Sequence, residues 1–233
     1  MNDLAVIEAI LRNRYRFFSE IRAGVDLGPK IRAMMTSSVL FLLLYGAVIG
    51  SQHSLLQALS SALKVPALFL VTVLICLPTL HFFHVLFGAS LSIRQNFALI
   101  LTAITVTSVL LLSFSPVVLF FMISTADYQL FKLLNVAIFA ICGAIGLGFL
   151  YQGVKMIAVV DGDTGKSRRR MIVLWALLYA FVGTQLAWTL RPFFGAPGLP
   201  FEPFRDLGGS FYANVLASIG EILGFFTVRG GGA

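Results

Sequence analysis

The stretch FALILTAITVTSVLLLSFSPVVLFFMI, Phe97–Ile123, runs 27 residues without a charge. A hydrocarbon core about 30 Å thick is crossed by about 20 helical residues. Lipid offers no partner to an unpaired backbone N–H or C=O, so a stretch of this kind must be helical. Working outward, predominantly apolar stretches recur at Ser37–Ser51, Val65–Phe87, Leu133–Val160 and Met171–Leu190. The expected fold is therefore all-α: a polytopic transmembrane helix bundle of about five spans, with amphipathic interfacial helices at both ends.

Composition agrees. Hydrophobic residues make up 58% of the 233 and charged residues 12%, against about 25% charged in an ordinary soluble domain. Five spans and their connections are expected to use up these 233 residues, with no separate soluble domain among them. Three regions are expected: a cytoplasmic amphipathic segment over 1–35, the five-span bundle over 36–190, and a Pro/Phe-rich tail with an interfacial helix over 191–233. The two cysteines, Cys76 and Cys142, fall inside spans and read as small buried hydrophobes. The first 35 residues are too charged for a cleavable signal core, so the first span is expected to direct insertion.

The net charge of +7 is unevenly spread. Arg12, Arg14, Arg16, Arg22, Lys30 and Arg32 precede the first span, Arg94 follows the second, and Lys155, Lys166, Arg168, Arg169 and Arg170 surround the gap before the fifth. An alternating five-span chain puts all of these on one side. Excess Lys and Arg mark the cytoplasmic side, so the N-terminus is expected there and the tail opposite. The expected location is the bacterial cytoplasmic (inner) membrane.

Leu4, Ile7, Leu11, Tyr15 and Phe18 recur at helical spacing within Asp3–Arg22, with Glu8, Arg12, Arg16 and Glu20 off that stripe. The pattern predicts one amphipathic helix, lying on anionic headgroups or docked on the bundle or a partner helix. Gly24, Gly28 and Pro29 should break it. Ser54–Lys64 reads as a second short amphipathic helix capped by Ser54, with Pro66 in the first turn of the next span and Pro78 kinking that span. Small and hydroxyl residues of Phe97–Ile123 and the glycines Gly143, Gly146, Gly148 and Gly153 favour close helix packing. In Arg191–Ser210, four prolines alternate with Phe193, Phe194, Phe201 and Phe204, which predicts an extended segment along the outer surface. Tyr212–Phe226 regains helical period and reads as an interfacial helix rather than a sixth span.

Chemistry-bearing residues are few. His81 and His84 share a helix face, as a metal site or proton relay would need, but no third ligand accompanies them. Asp161–Ser167 lacks the glycine spacing of a phosphate-binding loop and the closing glutamate of a calcium loop, so it reads as a turn with a basic end. Trp188 and Arg191 form an interfacial anchor, and Gln185 is the most polar group well inside the last span. Neither a catalytic constellation nor a cofactor or metal site can be assembled, so no enzyme activity and no cofactor are expected.

Asp26-Leu27-Gly28-Pro29 stands before the first span, where members of the Yip family (Ypt/Rab-interacting membrane proteins) carry Asp-Leu-Tyr-Gly-Pro. Over roughly Asp26–Leu190, the order of cytoplasmic segment, five close spans and far-side tail resembles that family and its bacterial relatives. The resemblance implies a membrane-embedded organiser rather than an enzyme.

The functional expectation is a non-enzymatic scaffold or accessory subunit. Its contacts to lipids, to another membrane protein or to itself would run through Arg12, Arg14, Arg16, Phe18, Arg168, Arg169, Arg170, Trp188, Arg191, Phe193, Phe194, Phe201 and Phe204, with no nucleic acid involved. The alternative is a small permease or channel with a path lined by His81, His84, Gln185 and the hydroxyls of Phe97–Ile123.

Overall fold

In the computed structural model, residues 3–86, 91–125, 127–160, 166–195, 200–205 and 208–223 are described. Among them the regular structure is helical: α1 (Asp3–Arg12), α2 (Arg14–Arg22), α3 (Leu27–Gly50), α4 (Leu55–Leu86), α5 (Ile93–Ser124), α6 (Tyr128–Val160), α7 (Lys166–Thr189) and α8 (Phe211–Ile222). Helices α3 to α7 are the five long and apolar enough to cross a membrane. The protein is an integral, multi-pass membrane protein.

Several helix starts follow from side-chain caps. Ser92 and Gln95 close a reciprocal capping box at the head of α5, satisfying two N–H groups that a helix start leaves without partners. Ser54 accepts from Gln57 N at 3.2 Å at α4, as the sequence predicts. Asp127 Oδ1 accepts from Gln129 N at 2.8 Å and Leu130 N at 3.2 Å at α6, and Ser210 accepts from Ala213 N at 3.2 Å at α8.

Helix α3 lies between α4 and α5; α6 packs on α5, α7 on α4, and α8 against α6 and α7. Helices α3 and α4 approach closely. A Cβ at Gly46 would lie 2.4 Å from Ser61 O, and one at Gly50 would lie 2.5 Å from Gln57 O. These two glycines, four residues apart, let the backbones meet. Gly146 does the same for α6 on α5, facing Ala103 O and Thr107. Interior polar groups join neighbours: Ser38 to Thr105 at 3.0 Å, Tyr45 Oη to Asn135 Oδ1 at 3.0 Å, and Trp175 Nε1 to Cys76 O at 3.0 Å. Leu74, Phe82, Phe120, Ile141, Leu177 and Phe181 are exposed, as lipid-facing positions should be.

Four expectations need correction. The N-terminal segment is two helices hinged at Asn13, not one. Its buried residues are Val6, Ile10, Phe17, Phe18 and Ile21, whereas Leu11 and Tyr15 are 51% and 68% exposed. Of the predicted stripe, Phe18 is buried and Ile7 half-buried, but Leu11 and Tyr15 turn outward, and Val6, Ile10, Phe17 and Ile21 face the bundle beside Phe18. Next, α3 begins at Leu27, so Gly28 and Pro29 sit in its first turn, where proline is tolerated. Of the three residues expected at the break only Gly24 lies there, together with Asp26, at φ 73° and 50°. Third, Ser54–Lys64 is not separate; it is the first third of α4, and both Pro66 and Pro78 are interior to that helix. Fourth, the Pro/Phe tail is not laid along a surface: Pro192 and Gly195 are buried, and Phe193 and Phe194 pack against the core.

Helix α8 spans about 18 Å at 1.5 Å per residue, too short to cross a membrane. Tyr212, Leu216, Ile219, Ile222 and Leu223 are exposed, while Ser218 is buried. Its polar side therefore faces the protein, and Asn214 accepts from Lys132 Nζ at 3.0 Å.

Candidate functional site

At the head of α4, Gln57, Ser61 and Lys64 follow one another at i, i+4 and i+7 and so share a helix face. All three are buried. The opposite side carries Leu55, Leu56, Leu59 and Leu63, each more than half exposed. In water this helix would turn its leucines in; at a membrane it turns its polar stripe in and needs polar partners there. The tail supplies them as backbone carbonyls. Gln57 Nε2 donates to Pro192 O at 2.9 Å and to Ser61 Oγ at 3.2 Å. Ser61 Oγ donates to Phe193 O. Lys64 Nζ donates to Pro192 O at 3.2 Å and to Pro203 O, and lies 4.7 Å from the centre of the Phe204 ring.

The proline-rich sequence suits this role. A proline carries a C=O but no N–H, so a Pro/Phe segment brings acceptors to an interior with few donors of its own to satisfy. The rings complete the seat. Phe194 meets Phe131 edge-on at 5.7 Å, and Gly195 lies so close to His53 that a Cβ would fall 2.2 Å from its ring. Arg191 lies 3.4 Å over the Trp188 ring and donates to Gly208 O at 3.1 Å. Burial, and then the nearby Arg205, lower its proton affinity, but a guanidinium stays charged. The tail is thus a folded clasp over one end of the bundle. Phe204 (61% exposed) and Pro200 face outward from it.

At the other end, the N-terminal pair is fixed just as firmly. Gln95 Nε2 donates to Ile21 O at 3.2 Å and Arg22 O at 2.6 Å, while its Oε1 caps α5. The Phe18 ring fills the space beside Gly153. Buried Lys30 meets Glu20 at 2.8 Å, donates to Val25 O at 2.8 Å and lies 5.9 Å from the Phe17 ring centre. Hydrogen bonds from Lys30 and then Arg16 hold the Glu20 carboxyl below its ordinary value.

His81 and His84 meet, but through Asn96 of α5. Asn96 Oδ1 pairs with His84 Nδ1, and Asn96 Nδ2 lies 2.9 Å from His81 Nδ1. Gln185 is not part of this cluster. Gly183 lies beside Thr72, and His81 is nine residues farther along α4, about 14 Å at 1.5 Å per residue. The hydroxyls of α5 bond to the backbone of their own helix. Thr102, Thr105 and Thr107 donate to carbonyls four residues back, at 2.8, 2.8 and 2.9 Å, and Ser108 to Thr105 O at 2.8 Å.

Of the residues singled out from sequence, Arg12, Arg14, Arg16, Arg170 and Phe204 are exposed; Phe18 is buried; Trp188, Arg191, Phe193, Phe194 and Phe201 are half-buried. The side chains of Arg168 and Arg169 and residues 161–165 of the expected Asp161–Ser167 turn lie outside the described residues, and Lys166 and Ser167 belong to the first turn of α7 rather than to a loop. Among the described residues there is no group of three His, Cys, Asp or Glu placed to hold a metal ion. Sequence reasoning missed Gln57, Ser61, Lys64, Gln95 and Asn96, and the Gly46/Gly50 contact. The four-residue spacing of the two glycines, and the three polar residues on one face of an otherwise leucine-rich helix, were the available signals.

No protein-family model, curated protein or solved structure matches the chain.

Proposed function

We propose that this protein is a non-enzymatic scaffold or accessory subunit, which presents a shaped surface to another membrane component at the clasp end. The observation that carries this reading is the use made of Gln57, Ser61 and Lys64. The polar side chains at the head of α4 hold tail carbonyls in place, leaving Phe204 and Pro200 outward on a fixed backbone. A pre-formed aromatic surface binds a partner with little ordering cost, and aromatic residues dominate binding energy at interfaces. The basic N-terminal end, with its excess of Lys and Arg, belongs on the cytoplasmic side on the same rule that orients other membrane proteins, which puts the clasp on the far side of a bacterial inner membrane. Kinship with the Yip family is part of this proposal, resting on the span order and on Asp26-Leu27-Gly28-Pro29.

The test is gentle extraction in native nanodiscs, followed by mass spectrometry of co-migrating proteins, for the native chain and for Phe204→Ser. A stoichiometric partner that is lost in Phe204→Ser, while insertion and yield stay unchanged, supports the reading. A partner retained in the variant, or a chain that migrates alone or only with itself, overturns it.

A further inference from the structure

The docked N-terminal pair leaves a second face pointing away from the bundle. That face carries Leu11 and Tyr15 together with Arg12 and Arg16, and exposed Arg14 stands at its edge against Gln152 of α6. We infer that it binds the anionic headgroups of the same bilayer that the spans cross.

Three observations carry this. The first is depth. Phe18 is seated at Gly153, which lies 25 residues along α6 from Tyr128, about 38 Å at 1.5 Å per residue. The hydrocarbon core is about 30 Å thick, and about 40–45 Å with the headgroups included. With the head of α6 at one interface, α2 is held within the headgroup layer of the other.

The second is charge. Glu20 is already matched by buried Lys30 at 2.8 Å, so Arg16, 82% exposed, is in excess beside it. Glu8 and Arg12 are 66% and 78% exposed, a pairing worth little in water. Arg14 bonds to neutral Gln152 at 3.1 Å. Exposed Arg94, Lys155 and Arg170 stand at the same end of the bundle, so the described charge there is strongly positive. The third is the mixture of types. Leu11 and Tyr15 suit the boundary between acyl chains and headgroups, with a tyrosine ring at its preferred level, and arginines beside them suit phosphate oxygens. A soluble acidic partner would account for the arginines but not for the depth.

The test uses purified full-length protein in phosphatidylcholine bilayers, with spin-labelled phosphatidylglycerol or phosphatidylcholine as the reporting lipid. The expected result is an excess of the anionic lipid of about fivefold at low salt, the weight of one basic side chain near a charged surface. High salt should shrink it, and Arg12→Gln/Arg14→Gln/Arg16→Gln should abolish most of it. A second measurement avoids the charge changes: a nitroxide on Tyr15→Cys, with Cys76 and Cys142 buried, should be reached by oxygen and shielded from a water-soluble nickel complex. Equal association of the two lipids, an excess undiminished in the triple variant, or a label at position 15 open to the aqueous relaxant would overturn the inference. The last result would point instead to a soluble partner.

Discussion

Lys64 shows how much one side chain can be asked to hold. Its relative exposure is 7%, it has no carboxylate within ion-pair distance among the described residues, and its ammonium is satisfied by two carbonyls and an aromatic ring. Lys64→Ala leaves Pro192 O with Gln57 alone and Pro203 O without this donor. Buried groups that lose a partner cost about 1–3 kcal/mol each. The expected outcome is local: the clasp opens about 30-fold more often, about 2 kcal/mol, seen as faster amide exchange over 193–195 and 201–205, with the α3–α6 core unchanged. Exchange that is unchanged at the tail would refute the role given to Lys64. This part of the site was half legible. The polar stripe of 57, 61 and 64 is visible in the sequence as the minor face of a leucine-rich helix. What it touches lies more than a hundred residues away, and no local pattern announces that pairing. His81 and His84 were legible as a pair, but the amide between them comes from α5.

Two elements show where packing decides what periodicity cannot. At Gly46 the obstacle to a side chain is the backbone of α4, not a movable ring, so Gly46→Ala must push α3 and α4 apart. Overpacking of this kind costs about 1–3 kcal/mol, to be read as a lowered midpoint of thermal unfolding in detergent. Gly148→Ala on α6, where a Cβ meets nothing within 4 Å, is the neutral control. The α1–α2 pair makes a pH prediction. The folded-state value of Glu20 lies below its unfolded one, so its contribution is complete above the ordinary carboxylate value of about 4.3. It is lost as pH falls through the lower, folded value. Amide exchange in α2 should therefore rise below about pH 4, and Glu20→Gln should show the raised exchange already at pH 7. The spans themselves were legible, because uncharged length is a direct consequence of the solvent they cross. Their ends were not. Pro66 looked like a helix start because proline is common there, yet the residues before it are just as helical. Asn13 did carry a signal, since an asparagine side chain competes with helix and favours the N-cap position, and it is the N-cap residue of α2; the apolar period running through it masked the break.

The whole molecule has two built ends, and five antiparallel spans must place them on opposite sides of a membrane. The contacts agree with that count: α2 meets the tail of α6 and the head of α5, whereas the clasp meets the heads of α4 and α6. Charge at the two ends differs in use as well as in number. At the clasp end Lys64, Lys132 and Arg191 bind the tail and α8. At the other end Arg12, Arg14 and Arg16 of α1 and α2 are exposed, where they would resist translocation. Single cysteines at Val25, in the turn before α3, and at Phe204, both exposed, turn this into a measurement, since the native Cys76 and Cys142 are buried. On the cytoplasmic placement proposed for the N-terminal end, a membrane-impermeant maleimide added from outside should label Phe204→Cys and leave Val25→Cys untouched until the membrane is opened. Labelling of both from one side would mean that one of α3 to α7 does not cross. Labelling of Val25→Cys alone would keep five spans and invert the protein, against its own charge distribution.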